Sequence, residues 1–93
     1  MTKTTGSIFE TTEITLNGVV YDCAMEIDIE CLQYWENHGG YREPQSETTY
    51  EFDFEATDKG GHSVMEKALK RSIRAALHDY IEDNLERLAR RAL

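Results

Sequence analysis

The chain has 93 residues and a formal net charge of −8, with 18 acidic side chains against 10 basic ones. One domain is the natural count at this length, since ~100–150 residues per domain is typical, and the core is too small for a deep internal active site. The acidic excess argues against a general nucleic-acid binder, because neutralising phosphates requires lysine and arginine.

The sequence shows no feature that would direct export. The N-terminal segment has no long apolar run, and no stretch reaches the ~18 apolar residues of a membrane span. Cys23 and Cys31 fall in one predicted strand, ~26 Å apart at about 3.3 Å per residue, whereas a disulfide needs Cα atoms within roughly 7 Å. We therefore expect reduced thiols and a cytoplasmic protein.

The first two strands are predicted from Asn17-Gly18, a dipeptide that tolerates the positive φ at both positions of a two-residue type I′ turn. This turn sets a register in which Ile8 lies opposite Ile27. In the second strand the apolar side chains recur at odd positions from 21 to 31, and the even positions from 22 to 30 carry four acidic side chains and Ala24. Such alternation predicts a strand with one face on the core and one in water.

A third strand is predicted at residues 49–56, where aromatic and acidic side chains alternate. Residues 32–48 precede it and contain Gly39-Gly40 and the only proline, Pro44. Because glycine pairs and proline punctuate regular structure, we predict a long loop there.

The last element is predicted to be one long helix. Ser63 begins a capping box that Glu66 completes, and no glycine or proline follows, so the helix is expected to span residues 64–92. The predicted fold class is α+β: a three-stranded antiparallel sheet, in strand order 1-2-3, packed against this helix. We expect residues 1–93 to form one domain, with the sheet portion at 8–56.

The apolar face of the predicted helix changes direction halfway, and its two stripes differ by roughly 120°. One straight helix cannot bury both on a flat sheet, so either it breaks near residues 78–84 or its second stripe packs elsewhere. A second copy of the chain is one predicted partner for the second stripe. The alternative is that the N-terminal segment with Ile8 and Phe9 folds over it. The predicted dimerisation stripe consists of Leu77, Ile81, Leu85, Leu88 and Ala92.

The outward positions of the three strands place many carboxylates on one predicted sheet face. Such a face suits a basic protein surface, because opposite potentials speed encounter. The alternatives are a solvated face that maintains solubility and a divalent-metal site, for which the strand spacing spreads the oxygens too far apart. The predicted acidic face consists of Glu13, Asp22, Glu26, Asp28, Glu30, Glu51, Asp53 and Glu55.

Aromatic and arginine side chains are frequent anchors of protein interfaces. The predicted loop contains such a set, although its first two members could instead close the edge of the core. The predicted partner-binding loop residues are Tyr34, Trp35, Tyr41 and Arg42.

A basic stripe follows the first half of the predicted helix. It could bind phosphate weakly or form a solvated helix face opposite the sheet. Its members are Lys67, Lys70, Arg71 and Arg74.

No motif supports catalysis. His38, His62 and His78 match no zinc-site spacing, neither cysteine lies beside a convincing base, and there is no phosphate-binding loop or nucleophile elbow. We therefore expect no enzymatic activity, no cofactor, no bound metal and no small-molecule substrate.

Three features occur together along most of the chain: the hairpin TLNG-V-x-Y, the segment GGYREP running into TTYEFDF, and a single charged C-terminal helix. In this layout the chain resembles small acidic accessory proteins of bacteriophages and prophages. Some of these inhibit host defence, including anti-CRISPR proteins, which bind a nuclease or its surveillance complex.

The resemblance implies a non-enzymatic inhibitor that acts in the bacterial host cell on a protein or complex with a basic surface. Nucleic acid and membranes are not expected as partners. We expect the protein to form a homodimer. The alternative functions are a homodimeric regulatory or structural module that associates through its C-terminal helix, and a weak nucleic-acid binder that uses the basic stripe.

Overall fold

The computed structural model describes all 93 residues, as three strands followed by one helix. The strands form a single antiparallel sheet in the order β1-β2-β3, and the helix packs on one of its faces. The predicted α+β fold class and strand order are confirmed. The elements are β1 (Thr2–Leu16), β2 (Val19–His38), β3 (Tyr41–Asp58) and α1 (Lys67–Ala92).

The turn between β1 and β2 has the predicted geometry. Asn17 and Gly18 have φ values of 51° and 79°, as a two-residue type I′ turn requires. The register that follows places Ile8 opposite Ile27, as predicted, and continues without interruption to the pair of Thr2 with Gln33.

The prediction of a loop at residues 32–48 is wrong. These residues continue β2 and β3 as paired strands, with Trp35 opposite Pro44. Gly39-Gly40, with φ values of 53° and 101°, forms a second two-residue turn, since a glycine pair tolerates the same backbone angles as Asn-Gly. Pro44 is accommodated because β3 is an edge strand, where a missing N–H leaves no ladder bond unmade.

The start of the helix also differs from the prediction. The helix begins at Lys67, and Glu66 precedes it in an extended conformation without a side-chain capping bond. Ser63 instead bridges to Thr57 in β3, and Val64 donates its N–H to the carbonyl oxygen of Ala56 at 2.9 Å. The predicted capping box is therefore extended backbone that closes one end of the β3 edge.

The core lies between the helix and the sheet face that carries the odd positions of β2. Tyr21 to Ile29 alternate between buried and exposed along β2, as predicted, whereas Cys31 is only partly buried. No buried polar side chain lacks a hydrogen-bond partner. The buried side chains are Ile8, Tyr21, Cys23, Met25, Ile27, Ile29, Phe52, Ala56, Val64, Ile73, Leu77, Ile81 and Leu88.

The structure corrects the predicted dimerisation stripe. Leu77, Ile81 and Leu88 are 0% exposed and pack in the protein's own core, and Leu85 and Ala92 lie partly buried against it. These side chains therefore do not form a free surface for a second copy.

One unbroken helix buries this stripe because the sheet is not flat. From Ile73 to Leu88 the buried positions rotate about 60° beyond four full turns at 100° per residue. The face of a twisted sheet turns along its length, so a stripe that drifts around the helix stays in contact with it. The helix needs no break, and the premise of a flat sheet was the error.

The helix is too short to cover the sheet. At 1.5 Å per residue α1 is ~39 Å long, whereas β2 is ~66 Å at 3.3 Å per residue. The molecule measures 60 × 22 × 20 Å and has a radius of gyration of 17.1 Å, against about 12 Å for a compact chain of this length. Since β1 reaches only Gln33, residues 34–45 form a two-stranded ribbon beyond it, which we call the arm.

Gly6 marks the closest approach between the helix and β1. A Cβ atom added at Gly6 would lie 2.1 Å from the carbonyl oxygen of Ala92 and 2.8 Å from its carbonyl carbon. Glycine inside a strand is typical of such a close backbone approach. The end of α1 can therefore seat on β1 only because position 6 has no side chain.

We predict that Gly6→Ala lowers the free energy of unfolding by about 1–3 kcal/mol, because the obstructing atoms are backbone and the helix end must move. Urea denaturation followed by circular dichroism measures the change. Thr4→Ala, in the same strand but exposed, is the control and should stay within about 0.5 kcal/mol of the parent protein. Equal midpoints for the two variants would contradict the close approach.

Candidate functional site

The sheet face opposite the helix is the acidic face. The register places even positions of β2 there, beside odd positions of β1 and β3. All eight predicted acidic residues share this face. The longer strands add Glu36, Glu43 and Glu47 to this face. The prediction assigned these residues to a loop and therefore did not place them on the sheet. A two-residue turn at Gly39-Gly40 would have placed them in the same register.

Several carboxylates on the acidic face lie directly opposite one another. Side chains at such positions have Cβ atoms ~4.5–5.5 Å apart, and like charges there are destabilising. The pairs are Glu13 with Asp22, Glu26 with Asp53, Asp28 with Glu51, and Glu36 with Glu43.

A lysine relieves the pair at one end of the face. Lys59 Nζ lies 3.0 Å from Glu13 Oε1 and 3.1 Å from Asp22 Oδ1. Hydrogen bonds to Glu13 and then Asp22 raise the pKa of Lys59. The turn that carries Lys59 is held by Asp58, whose carboxylate accepts the backbone N–H of His62 at 2.9 Å; this bond is the main reason why the pKa of Asp58 is lowered.

A histidine occupies the corresponding place at the other end. His38 Nε2 lies 3.2 Å from Glu36 Oε2 and 3.4 Å from Glu43 Oε2. Beside the face, Lys3 Nζ is 3.5 Å from Glu30 Oε1. Both ends and one margin of the acidic face therefore carry a basic group within ion-pair distance.

The middle of the face has no such partner. The two remaining pairs consist of the central carboxylates Glu26, Asp28, Glu51 and Asp53, which are all exposed. No lysine, arginine or histidine lies within ion-pair distance of any of them. Asp28 accepts a hydrogen bond from the Ser7 hydroxyl, which leaves its charge uncompensated. The central carboxylates form the strongest unbalanced charge of the sheet.

The arm carries the residues of the predicted partner-binding loop, but on two faces. Trp35 is 58% exposed on the helix side, where the Arg42 guanidinium lies 5.3 Å from its ring. Tyr34 and Tyr41 project from the acidic face, Tyr41 being 65% exposed and 5.9 Å from the His38 ring. These residues do not form one patch, and the alternative that Trp35 closes the core is wrong.

The last member of the predicted basic stripe, Arg74, differs from the other three. Lys67, Lys70 and Arg71 are exposed on α1, but Arg74 donates to the Phe52 carbonyl oxygen at 3.3 Å and stacks 4.9 Å above the Phe52 ring. Arg74 thus contacts the β3 edge.

The remaining titratable groups do not converge on a reaction centre. Burial is the main cause that raises the pKa of the Cys23 thiol, which makes it a poor nucleophile. Burial, with a hydrogen bond to Glu82 at 3.0 Å, raises the pKa of Tyr50 to about 12. No group of three or more histidine, cysteine, aspartate or glutamate side chains is arranged to hold a metal ion.

Comparisons with protein-family models, curated proteins and solved structures found no match for this chain. No helix of this protein is both long and apolar enough to cross a membrane.

We predict that Trp35→Ala lowers the free energy of unfolding by no more than about 1 kcal/mol, the size of an exposed cation–π contact. Phe52→Ala is the matched aromatic truncation in the core, where Phe52 is 8% exposed, and it should cost about 3–5 kcal/mol. Urea denaturation measures both. A loss at Trp35 as large as that at Phe52 would show that the arm packs against the core.

We predict that Glu26→Gln combined with Asp53→Asn raises the free energy of unfolding by about 0.2–1 kcal/mol, because it removes a like-charged cross-strand pair. The gain should shrink between about 0.01 M and 1 M salt, over which the Debye length falls from 30 Å to 3 Å. Thermal unfolding at both salt concentrations measures it.

The control for this experiment is Glu13→Gln combined with Asp22→Asn. These changes also remove two opposed carboxylates, but they leave Lys59 without either partner, so no gain in stability is expected. A similar gain in both double variants would indicate that net charge, and not the local pairing, sets the effect.

Proposed function

We propose that this protein is a non-enzymatic binding protein that inhibits a nucleic-acid-handling host protein by docking its acidic face on that protein's basic surface. The observation that carries the proposal is the set of central carboxylates, Glu26, Asp28, Glu51 and Asp53. They lie in two directly opposed pairs and have no basic partner within the chain.

Like-charged pairs reduce the stability of the isolated sheet, but the same arrangement favours a cationic partner. Lysine or arginine side chains of a docking protein would turn repulsion between Glu26 and Asp53, and between Asp28 and Glu51, into attraction. The end that carries Lys59 offers less, because Lys59 already neutralises part of the charge of Glu13 and Asp22. We therefore place the centre of contact on the central carboxylates.

The sheet also holds these carboxylates in a fixed arrangement. Glu26 and Asp28 are two residues apart in β2, or ~6.6 Å, and the core residue Ile27 between them is 0% exposed. A backbone anchored in this way loses little conformational freedom when the face is covered, which reduces the entropic cost of association.

The choice of partner follows from charge. Protein surfaces that bind nucleic acid present several lysines and arginines to neutralise phosphates, so they complement a carboxylate cluster of this kind. The resemblance to phage accessory proteins supports a defence complex of the CRISPR–Cas kind as the target. Docking of the acidic face would then exclude nucleic acid from the basic surface by occupying it.

We predict that a variant with amides at Glu26, Asp28, Glu51 and Asp53 loses binding to its partner by at least about tenfold, because each removed charge pair at an interface contributes more than 1 kcal/mol. Immobilised protein is used to capture partners from bacterial lysate and to bind purified CRISPR–Cas effector complexes. Bound material is then challenged with duplex DNA or guide RNA, which should release it by competing for the same basic surface.

The matched control carries amides at four carboxylates of or beside α1: Glu66, Asp79, Asp83 and Glu86. It changes the net charge by the same amount but leaves the acidic face intact, so it should bind like the parent protein. The proposal fails if the face variant and the helix variant bind equally, or if nucleic acid does not compete.

A further inference from the structure

Both outer strands of the sheet have a backbone edge without a strand partner. In a two-residue hairpin the residues that flank the turn form a hydrogen-bonded pair, and such pairs alternate along the strands. With Leu16 and Val19 flanking the first turn, the odd residues of β1 point their N–H and C=O groups away from β2. By the same reasoning from His38 and Tyr41, the even residues of β3 point outward.

Several outward groups of β3 are engaged or absent. The Ala56 carbonyl accepts the Val64 N–H at 2.9 Å, the Phe52 carbonyl accepts Arg74 Nη2 at 3.3 Å, and Pro44 has no N–H. The side chains of this strand on the acidic face are mostly carboxylates, which would repel a second β3. Proline, charge and covering side chains are the usual protection of an edge strand.

The edge of β1 has no proline and no covering side chain, and Lys3 and Glu13 are the only charged residues in its row on the acidic face. No hydrogen bond from elsewhere in the chain reaches its outward backbone groups, and its side-chain hydrogen bonds involve only Ser7 and Glu10 on its two faces and Glu13 at the turn end. Its row on the acidic face is mostly threonine and serine. Phe9, near the middle of that row, is 76% exposed.

The side chains of β1 are complementary to their own antiparallel copy. With Ile8 opposite Ile8 of the partner subunit, Lys3 lies opposite Glu13 of the partner subunit, and the reverse pair repeats this attraction. The two Phe9 rings fall on diagonal positions within contact distance. No like charges face each other, and six outward pairs would exchange about twelve backbone hydrogen bonds.

We propose that a second copy of this chain pairs along the β1 edge, giving a two-fold symmetric homodimer with one continuous six-stranded sheet. The acidic strands do not oppose this. The nearest acidic rows, on β2 of each copy, are three strand spacings or ~14 Å apart, beyond the ~8 Å Debye length at physiological salt. The dimer presents two acidic faces side by side, and it does not depend on the proposed function of either.

Sedimentation velocity over a concentration series tests the proposal. The protein should sediment at twice its chain mass of 10.7 kDa at high micromolar concentration, and dilution should lower the mass. A mass of one chain at every concentration up to the high micromolar range would overturn the proposal.

A pair of charge variants tests the register. Thr5 of one copy lies opposite Thr11 of the other, so Thr5→Lys with Thr11→Lys places like charges opposite each other twice and should raise the dimer Kd about tenfold or more. Thr5→Lys with Thr11→Glu places opposite charges there and should dimerise at least as well as the parent protein. Equal Kd values for the two variants would overturn the proposed pairing.

Hydrogen exchange of the unmodified protein supplies a test that needs no variant. The Phe9 N–H points outward and should be protected only at concentrations where the dimer forms. The Ile8 N–H points toward β2 and should be protected at all concentrations. Rapid exchange of the Phe9 amide in the concentrated protein would overturn the proposal.

Discussion

The register of the three strands is the constraint on which the other features of this protein depend. Two turns of two residues each, Asn17-Gly18 and Gly39-Gly40, set it without a bulge or slip over the full length of both hairpins. Because side chains alternate with a period of two, a slip of one residue would exchange the core for the acidic face. The same turns determine which backbone groups bond within the sheet and which point outward at its edges.

The second constraint is the difference in length between helix and strands. A helix rises less than half as far per residue as a strand, so α1 reaches only from the region of Ala56 to that of Gly6. Over this distance it buries Ile73, Leu77, Ile81 and Leu88, which supplies the core of an elongated molecule. Beyond the helix the arm has no covering layer, and its exposed aromatic side chains follow from that geometry.

The first hairpin, its register and the alternation of β2 could be predicted because each depends on local chemistry, namely a turn dipeptide and a period of two. The course of residues 32–48 could not, since Gly39-Gly40 is compatible with both a loop and a tight turn until the pairing of β2 with β3 decides between them.

The capping box predicted at Ser63 failed for a related reason. The backbone of the next residue, Val64, bonds to Ala56, and this tertiary contact overrides the local signal. The helix stripe was misassigned because periodicity alone does not report the twist of the surface that receives it. For the acidic face, the carboxylates were predictable, whereas Lys59 and His38, which lie beside the carboxylates at its two ends, are in or next to turns whose positions depend on the correct register.

The distribution of charge across the sheet brings the two interaction surfaces into one scheme. Carboxylates concentrate on β2 and β3, where the directly opposed pairs weaken the isolated sheet. The carboxylates of β3 would also repel the β3 strand of a second copy. In β1 the same face is almost neutral, so its open edge carries no such repulsion. A strand with an open and neutral edge favours contact with its own copy, while a strand row with unbalanced carboxylates favours a basic partner. Since Phe9 and the central carboxylates lie on the same face but in different rows, a second copy can pair along β1 without covering Glu26 and Asp53. The proposed docking and the proposed self-association therefore use separate parts of a single sheet, so substitutions that remove one are expected to leave the other intact.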